Sequence, residues 1–425
     1  MPASFRGIAP SGSPLQQGGA IPDRLASRPT IIGTKLRMNT TELKKRSVPF
    51  LALGGVWEQD DINAAMKVIN AASGPSGNFF PLPEEMDFQK ALAAHEGSTH
   101  AVVVNSCGTA LDLCMLALGI TAGDEVIVPG LTFVCTAGTA AARGAKVVFA
   151  DIDPATLCLS PAAVAAKITP RTKAIIPVHF AGLACDIEGF DRISKTHGIP
   201  VIYDAAHAVG AKYQGRGIGP AGKASCYSFQ SNKNMTCLGE GGAVTTDDAE
   251  MAEKVRGLKT FGYVYDPQLR VTQIGFNYRM TKPQCATGLT QLAKIDRVIA
   301  QRLVRFKQMH KLLEGVDEII RPAGIGEGHG CHLYVARLAA GKVRFTRADF
   351  LKHLKEVWQV ATANHYPAVW SWEAFAQVNY DNSSTPATHK AVEQVMSLPL
   401  FPSTTEEDVA HIAHAIKETI AALCK

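Results

Sequence analysis

The sequence predicts an α/β protein: a mostly parallel seven-stranded sheet between helices, with a smaller C-terminal α+β domain. Three observations carry that prediction. From about residue 88, short runs that are apolar throughout alternate with helical stretches. Strands of that kind are covered on both faces, as in a parallel sheet. Past residue 280 the alternation gives way to long amphipathic segments. Finally, 425 residues exceed what one core comfortably serves.

In chain order, Ala101–Asn105 (AVVVN) reads as the first buried strand, followed by a helix over Gly108–Leu118. Glu125–Pro129 (EVIVP), a helix over Phe133–Arg143 and Lys146–Asp151 (KVVFAD) come next. Ala174–Val178 and Val201–Ala205 continue the theme, with helices near 160–167 and 186–197; Cys226–Phe229 and Gly242–Thr245 complete the strands. Thr281–Leu313 reads as one long helical region, His332–Leu338 as a strand, and Arg347–Trp358 and Glu406–Leu423 as amphipathic helices. Ser403 and Glu406 form a capping-box pattern at the start of the last. The expected organisation is an N-terminal extension (1–47), a large domain (48–300) and a small domain (301–425).

The composition narrows the function classes. Hydrophobic residues make up 46% and charged residues 19%, and 43 Lys and Arg against 38 Asp and Glu leave a net charge of +5. That surplus is spread out, so no nucleic-acid partner is expected. No apolar run is long enough to span a bilayer, and no continuous apolar h-region marks a secretory signal, so no membrane partner is expected either. Ten cysteines are scattered without a CxxC pair. They read as free thiols of a reducing, cytoplasmic compartment, with no zinc or other metal site. Residues 1–47 are rich in Gly, Pro and Ser, with several Arg. They read as a tail on a neighbouring subunit or a disordered arm, with an organelle transit segment as the alternative.

Ligands of such sheets bind beyond the carboxyl ends of the strands. Three segments there carry chemistry. Asn105-Ser106-Cys107-Gly108-Thr109 turns from strand to helix, where free amides suit a phosphate, although the same residues also serve capping alone. Asp204 ends an apolar strand, and a buried carboxylate needs a partner. Lys233 lies between the apolar Cys226–Phe229 run and the Gly239-Glu240-Gly241-Gly242 turn. Each is weak alone. Together they match the three handles of pyridoxal 5′-phosphate (PLP): its phosphate, its ring nitrogen and its aldehyde.

A longer series of motifs runs from Val48 to the C-terminus: Val48-Pro49-Phe50-Leu51, Gly123–Pro129 (GDEVIVP), Thr132-Phe133, Pro177-Val178-His179, Asp204–Ala211 (DAAHAVGA), Ser228–Lys233 (SFQSNK) with Gly239–Gly242, Gly275–Met280 (GFNYRM), His365-Tyr366-Pro367 and Leu398–Ser403 (LPLFPS). In these the chain resembles the DegT/DnrJ/EryC1/StrS aminotransferases, the sugar and aminocyclitol branch of fold-type I PLP enzymes. The resemblance implies that Lys233 is the Schiff-base lysine and proton-transfer group, and that Asp204 partners the pyridine nitrogen. It implies that His207 stands near the cofactor's 3-oxygen and that Phe133 stacks on the ring. Cys107, Gly108, Thr109 and Ser228 fall in phosphate-binding segments, with Cys107 and Gly108 both candidates for the principal amide. Asn277 would reach the phosphate of the other subunit, which implies a homodimer with shared sites. His365 and Arg279 lie in segments lining the substrate side. The implied reaction moves an amino group from glutamate or glutamine to a keto-sugar or keto-cyclitol, with ping-pong kinetics. Two departures stand out: the Lys233–Gly242 loop is one residue longer than the commonest family form, and the phosphate turn reads SCGTAL where SGTAAL is more frequent. Related sugar dehydratases carry His at the lysine position, so Lys233 argues against that branch. Intact Lys233, Asp204 and His207 argue against a non-catalytic regulatory protein. His179 reads as structural.

Overall fold

A computed structural model describes residues 46–75, 77–265 and 267–424. The readings of the N-terminal arm therefore lie outside the described residues, apart from its last two. The seven expected strands are β1 (His100–Val104), β2 (Glu125–Pro129), β3 (Lys146–Ala150), β4 (Thr172–Ile175), β5 (Ile202–Asp204), β6 (Ala224–Ser228) and β7 (Gly242–Thr246). β3, β2 and β4 pair in parallel, as do β5 and β6. Bridges Ile175–Val201 and Val178–Asp204 join the two groups. β7 lies antiparallel between β6 and β1. The order is β3-β2-β4-β5-β6-β7-β1, with β7 alone reversed. This sheet gains one strand that periodicity did not reveal: Tyr380–Asp381 pairs in parallel with the outer edge of β3. Two residues are too short to carry a periodic signal.

The sheet forms because its strands bury both faces. Val102, Val126 and Phe149 pack under the helices on one side with Leu111 and Met115. Val148, Ile175 and Val201 face Phe190 and Val335 on the other. Each such side chain contributes about 1.5–3 kcal/mol of apolar burial. Helices α1 (Gln59–Ala72), α2 (Glu84–Glu96), α3 (Cys107–Ala117) and α4 (Val134–Ala142) follow. Because β1, β5 and β6 run the same way, Ser106, Asp204 and Ser228 share one edge.

The long helical region expected over Thr281–Leu313 is built of two helices, α5 (Lys282–Ala293) and α6 (Ile295–Leu312). The break falls at Lys294, whose backbone leaves the helical region (φ −111°, ψ 0°). Its buried ammonium is held by Asp60 at 2.8 Å and Asp61 at 2.7 Å, at the start of α1. A second sheet pairs β8 (Ile319–Ile320), β9 (Tyr334–Leu338) and β11 (Val395–Leu398), all antiparallel, with Tyr380–Asp381 counted as β10. α7 (Arg347–Trp358) and α8 (Glu406–Leu423) pack together beside it. The capping box of α8 is two residues further on than expected. Thr405, not Ser403, accepts from the Asp408 amide at 3.1 Å, and the Asp408 carboxylate accepts from the Thr405 amide at 2.9 Å. A box must straddle the first helical residue, and that residue is Glu406.

Candidate active site

Ser106 caps α3: its Oγ accepts from the Thr109 amide at 3.1 Å, and the Ser106 amide donates to Thr109 Oγ1 at 3.1 Å. Thr109 Oγ1 also lies 2.7 Å from Asn105 Oδ1. Thr109 is thus engaged in the cap and is not among the cavity's lining residues. The amides of Cys107 and Gly108, next in the first turn, have no carbonyl one turn earlier to bond. Both residues line a cavity of about 570 Å³, with Phe133, Asp204, His207, Ser228, Lys233, His365 and Tyr366 among its walls. That size suits a small-molecule site. The Cys107 Sγ lies 3.5 Å from the Cys226 carbonyl and 3.9 Å from Asp204 Oδ1. A Cβ on Gly242 would stand 2.4 Å from the Ser106 carbonyl carbon, so only glycine lets β7 close against the start of α3.

Asp204 closes β5, is 3% exposed and has partners for both oxygens. Thr136 Oγ1 donates to Oδ2 at 2.7 Å, and the Ala206 amide to Oδ1 at 3.1 Å. Thr136 has given its proton to Asp204, so Thr132, 2.8 Å away, donates to Thr136. Burial pushes the Asp204 carboxyl above its ordinary value, against the pull of those hydrogen bonds and of Lys233. Burial likewise lowers the Lys233 ammonium, which the Asp204 charge partly offsets. Lys233 is thereby readied to work as a free amine.

Its loop is braced from behind. The Gly54 amide donates to the Ser231 carbonyl at 2.9 Å. A side chain on Gly54 would collide with the Asn232 and Lys233 carbonyls. Arg302, fully buried, donates to the Gly54 carbonyl and, at 3.2 and 3.0 Å, to those of His332 and Leu400. Burial without a carboxylate lowers this guanidinium to about 10.

His207 Nδ1 accepts from the Ala181 amide at 3.2 Å, and Nε2 lies 3.0 Å from the Tyr366 hydroxyl. His365 Nδ1 meets Ser397 Oγ at 2.8 Å, and burial lowers this histidine to about 4. Phe133, at the start of α4, is 54% exposed, a large ring left open at the cavity wall. Ser228, at the end of β6, is buried and lines the same cavity. His179 does not line the cavity; it stacks on Tyr203 with ring centres 4.8 Å apart, as a packing residue. Sequence reasoning missed Thr132 and Thr136 as hydroxyl partners of Asp204. Thr132 precedes the N-cap of α4 and Thr136 lies in its first turn, so no periodic signal marked the pair. Tyr366 was visible only as the neighbour of His365.

Asn277 and Arg279 lie elsewhere. Neither lines the cavity; Arg279 Nε donates to Asn277 Oδ1 at 2.9 Å. The Arg279 guanidinium sits 5.3 Å from the Phe80 ring centre and 5.5 Å from that of Phe261. Both rings are exposed, Phe80 by 59% and Phe261 by 38%.

The residues fit PLP. Unpaired amides at a helix N-terminus suit its phosphate, a buried carboxylate raised by burial suits a protonated ring nitrogen, and a buried amine suits its aldehyde. The profile of the DegT/DnrJ/EryC1/StrS aminotransferase family matches residues 59–417. The spore coat polysaccharide biosynthesis protein SpsC of Bacillus subtilis is 37% identical over 350 residues, covering 80% of this chain and 90% of that one. S. venezuelae DesV, solved in complex with a ketimine intermediate, superposes with a TM-score of 0.78 at 31% identity, over 88% of this chain and 98% of that one. Bacillus subtilis NtdA, solved with bound cofactor PMP, superposes with a TM-score of 0.79 at 28% identity, over 89% and 87%. The chain belongs to the DegT/DnrJ/EryC1/StrS aminotransferase family and is a PLP-dependent aminotransferase.

Proposed function

We propose that this enzyme transfers an amino group from glutamate or glutamine to a keto-sugar or keto-cyclitol, with Lys233 as both the anchor of PLP and the group that moves the proton. The observation that carries the reading is the meeting of Lys233, Asp204 and the start of α3 in one cavity. PLP, when bound, supplies an electron sink for the bond being broken. The amides of Cys107 and Gly108, with Ser228, hold the phosphate. Asp204, fixed by Thr136 and Ala206, keeps a proton on the ring nitrogen. Phe133 covers one face. The Lys233 amine, lowered by its surroundings, takes a proton from the substrate carbon and returns it one position away. Gln230, Asn232, Asn364 and the neutral His365 line the rest of the cavity, and such groups suit the hydroxyls of a sugar or cyclitol ring. The similarity to a spore coat polysaccharide biosynthesis protein supports the same acceptor class.

The working unit in this reading is a homodimer with shared sites. The exposed rings of Phe80 and Phe261 against Arg279 support it, because a surface of that kind seeks cover. Asn277 and Arg279 then act in the other subunit's site, Asn277 on the phosphate and Arg279 on the substrate. The large domain ends near residue 300, and the remainder forms the small one. A cytoplasmic location is supported by ten free thiols. The test is to load the protein with pyridoxamine phosphate and screen ketones. The reading expects cyclic hydroxylated ketones to restore the visible absorption of PLP. A protein that responds only to 2-oxo acids contradicts it.

A further inference from the structure

We propose that Arg302 is a positioning residue for the Lys233 amine: from behind the cavity it fixes the loop of residues 231–234, chiefly through the Gly54 carbonyl. Resting on the reading of Lys233 as the lysine that takes the aldehyde of PLP, this gives a role to a side chain outside the cavity's lining.

The loop is tied down on both sides of Lys233. Before it, the Ser231 carbonyl accepts from the Gly54 amide at 2.9 Å. After it, the Asn234 side-chain amide donates to the Gly330 carbonyl at 2.5 Å. Gly54 and Gly55 lie against the loop backbone with no room for a side chain. A Cβ on Gly54 would stand 2.0 Å from the Asn232 carbonyl oxygen, and one on Gly55 2.8 Å from that of Asn234. Packing this close transmits a displacement, because no flexible side chain lies between to absorb it.

Arg302 holds both anchors. α6 carries it into the interior, where it is 1% exposed. Its Nη2 donates to the Gly54 carbonyl. Its Nη1 donates to the carbonyls of Cys331 and His332, next after Gly330, at 3.4 and 3.2 Å, and to that of Leu400 at 3.0 Å. The planar guanidinium fixes the two nitrogens relative to each other. It therefore sets the Gly54 segment and residues 330–332 at one spacing, and each of these bonds one flank of Lys233.

Stability alone does not account for this residue. A buried cation with no carboxylate beside it is costly to desolvate, and a well-packed apolar side chain often serves as well in such a place. The Arg302 Nε, also buried, donates to no described group. What an apolar side chain cannot do is hold carbonyls of three segments at fixed distances. The segment after Gly54 is held in the same manner from α5. Gln291, buried, donates from Nε2 to the Val56 carbonyl at 2.8 Å, and its Oε1 accepts the Thr236 amide at 3.3 Å.

The experiment follows capture of PLP by the full-length protein freed of cofactor, in a stopped-flow spectrometer. The dependence of the rate on PLP concentration separates docking, read from half-saturation, from the covalent step, read from the plateau. In that step the Lys233 nitrogen bonds to the aldehyde carbon and the aldehyde oxygen leaves as water. Arg302→Met is expected to lower the plateau about tenfold to a hundredfold, the scale set by a displacement of about 1 Å at a reacting group. Half-saturation should stay at the wild-type value, because Asp204 and the start of α3 are not bonded to Arg302. Arg302→Lys keeps the charge but has one nitrogen for two sets of carbonyls. It is expected to lower the plateau by less, and it is the variant to read if Arg302→Met does not fold. Gly54→Ala displaces the same loop and should also lower the plateau. The double variant of Gly54→Ala and Arg302→Met should be no slower than the slower single, since both act at one contact. A wild-type plateau in the Arg302 variants, even with a lowered melting temperature, overturns the inference by leaving only a structural role. Penalties that multiply in the double variant overturn it too. Wild-type protein that captures no PLP, or captures it on another lysine, overturns the functional reading as well.

Discussion

The floor of the cavity and the face that carries Arg279 are built in opposite ways. On the floor, Asp204 has a partner on each oxygen, Thr136 takes a second hydroxyl behind it, and His207 is bonded at both nitrogens. At Arg279, the exposed rings of Phe80 and Phe261 flank the guanidinium, and its Nε donates to Asn277. One chain brings Lys233, Asp204 and the start of α3 to one cavity. It leaves its second polar cluster on a surface with the character of an interface. In the proposed dimer one chain serves the cofactor's ring nitrogen and aldehyde, whereas the cofactor's phosphate and the substrate draw on two.

Breaking the floor should cost most. Lys233→Ala is expected to lower kcat by about 10²–10⁴-fold or more, as expected for removal of a positioned proton-transfer group. A Lys233→Ala protein turning over at the wild-type rate defeats the proposed mechanism. Asp204→Asn should follow, with slower turnover and weaker retention of PLP on dialysis, since a neutral amide does not hold a proton on the ring nitrogen. On the other face, Arg279→Gln should raise KM for the substrate severalfold and leave PLP retention unchanged. If Arg279→Gln loses cofactor instead, the division between the two regions fails.

Acid should act through the buried histidines. His179 is held to about 3, and His329 and His365 to about 4, against an ordinary 6.5, all chiefly by burial. A lowered folded-state value means the unfolded chain binds the proton better. The stability these groups contribute is therefore complete above 6.5 and lost as pH falls from 6.5 towards 4, at up to about 1.4 kcal/mol per pH unit for each group. The urea midpoint should be level between pH 8 and 7 and lower at 5.5; equal midpoints at 7 and 5.5 contradict this. The smallest effect belongs to Thr132→Val, which removes only the second hydroxyl behind Asp204. About 1 kcal/mol of stability is expected to go, with PLP still bound.

Much of this was legible in the sequence because buried strands and amphipathic helices carry a period. β2, α7 and α8 begin and end where the pattern places them. The break at Lys294 was not, because it depends on Asp60 and Asp61, more than 230 residues away in the chain. The same limit applies to the site. Lys233 and Asp204 stood out as charges beside apolar runs, but Thr136 is an ordinary helical threonine until β5 brings a carboxylate to it. Arg302, bonded only to carbonyls, has no signature short of the folded chain. Tertiary partners, not local preference, decide such residues.

The central claim is that Lys233 is the lysine that carries PLP. Reducing the loaded protein with borohydride and mapping its peptides by mass spectrometry tests this directly. The account predicts the pyridoxyl label on the peptide containing Lys233. A label on another lysine, or none, contradicts it.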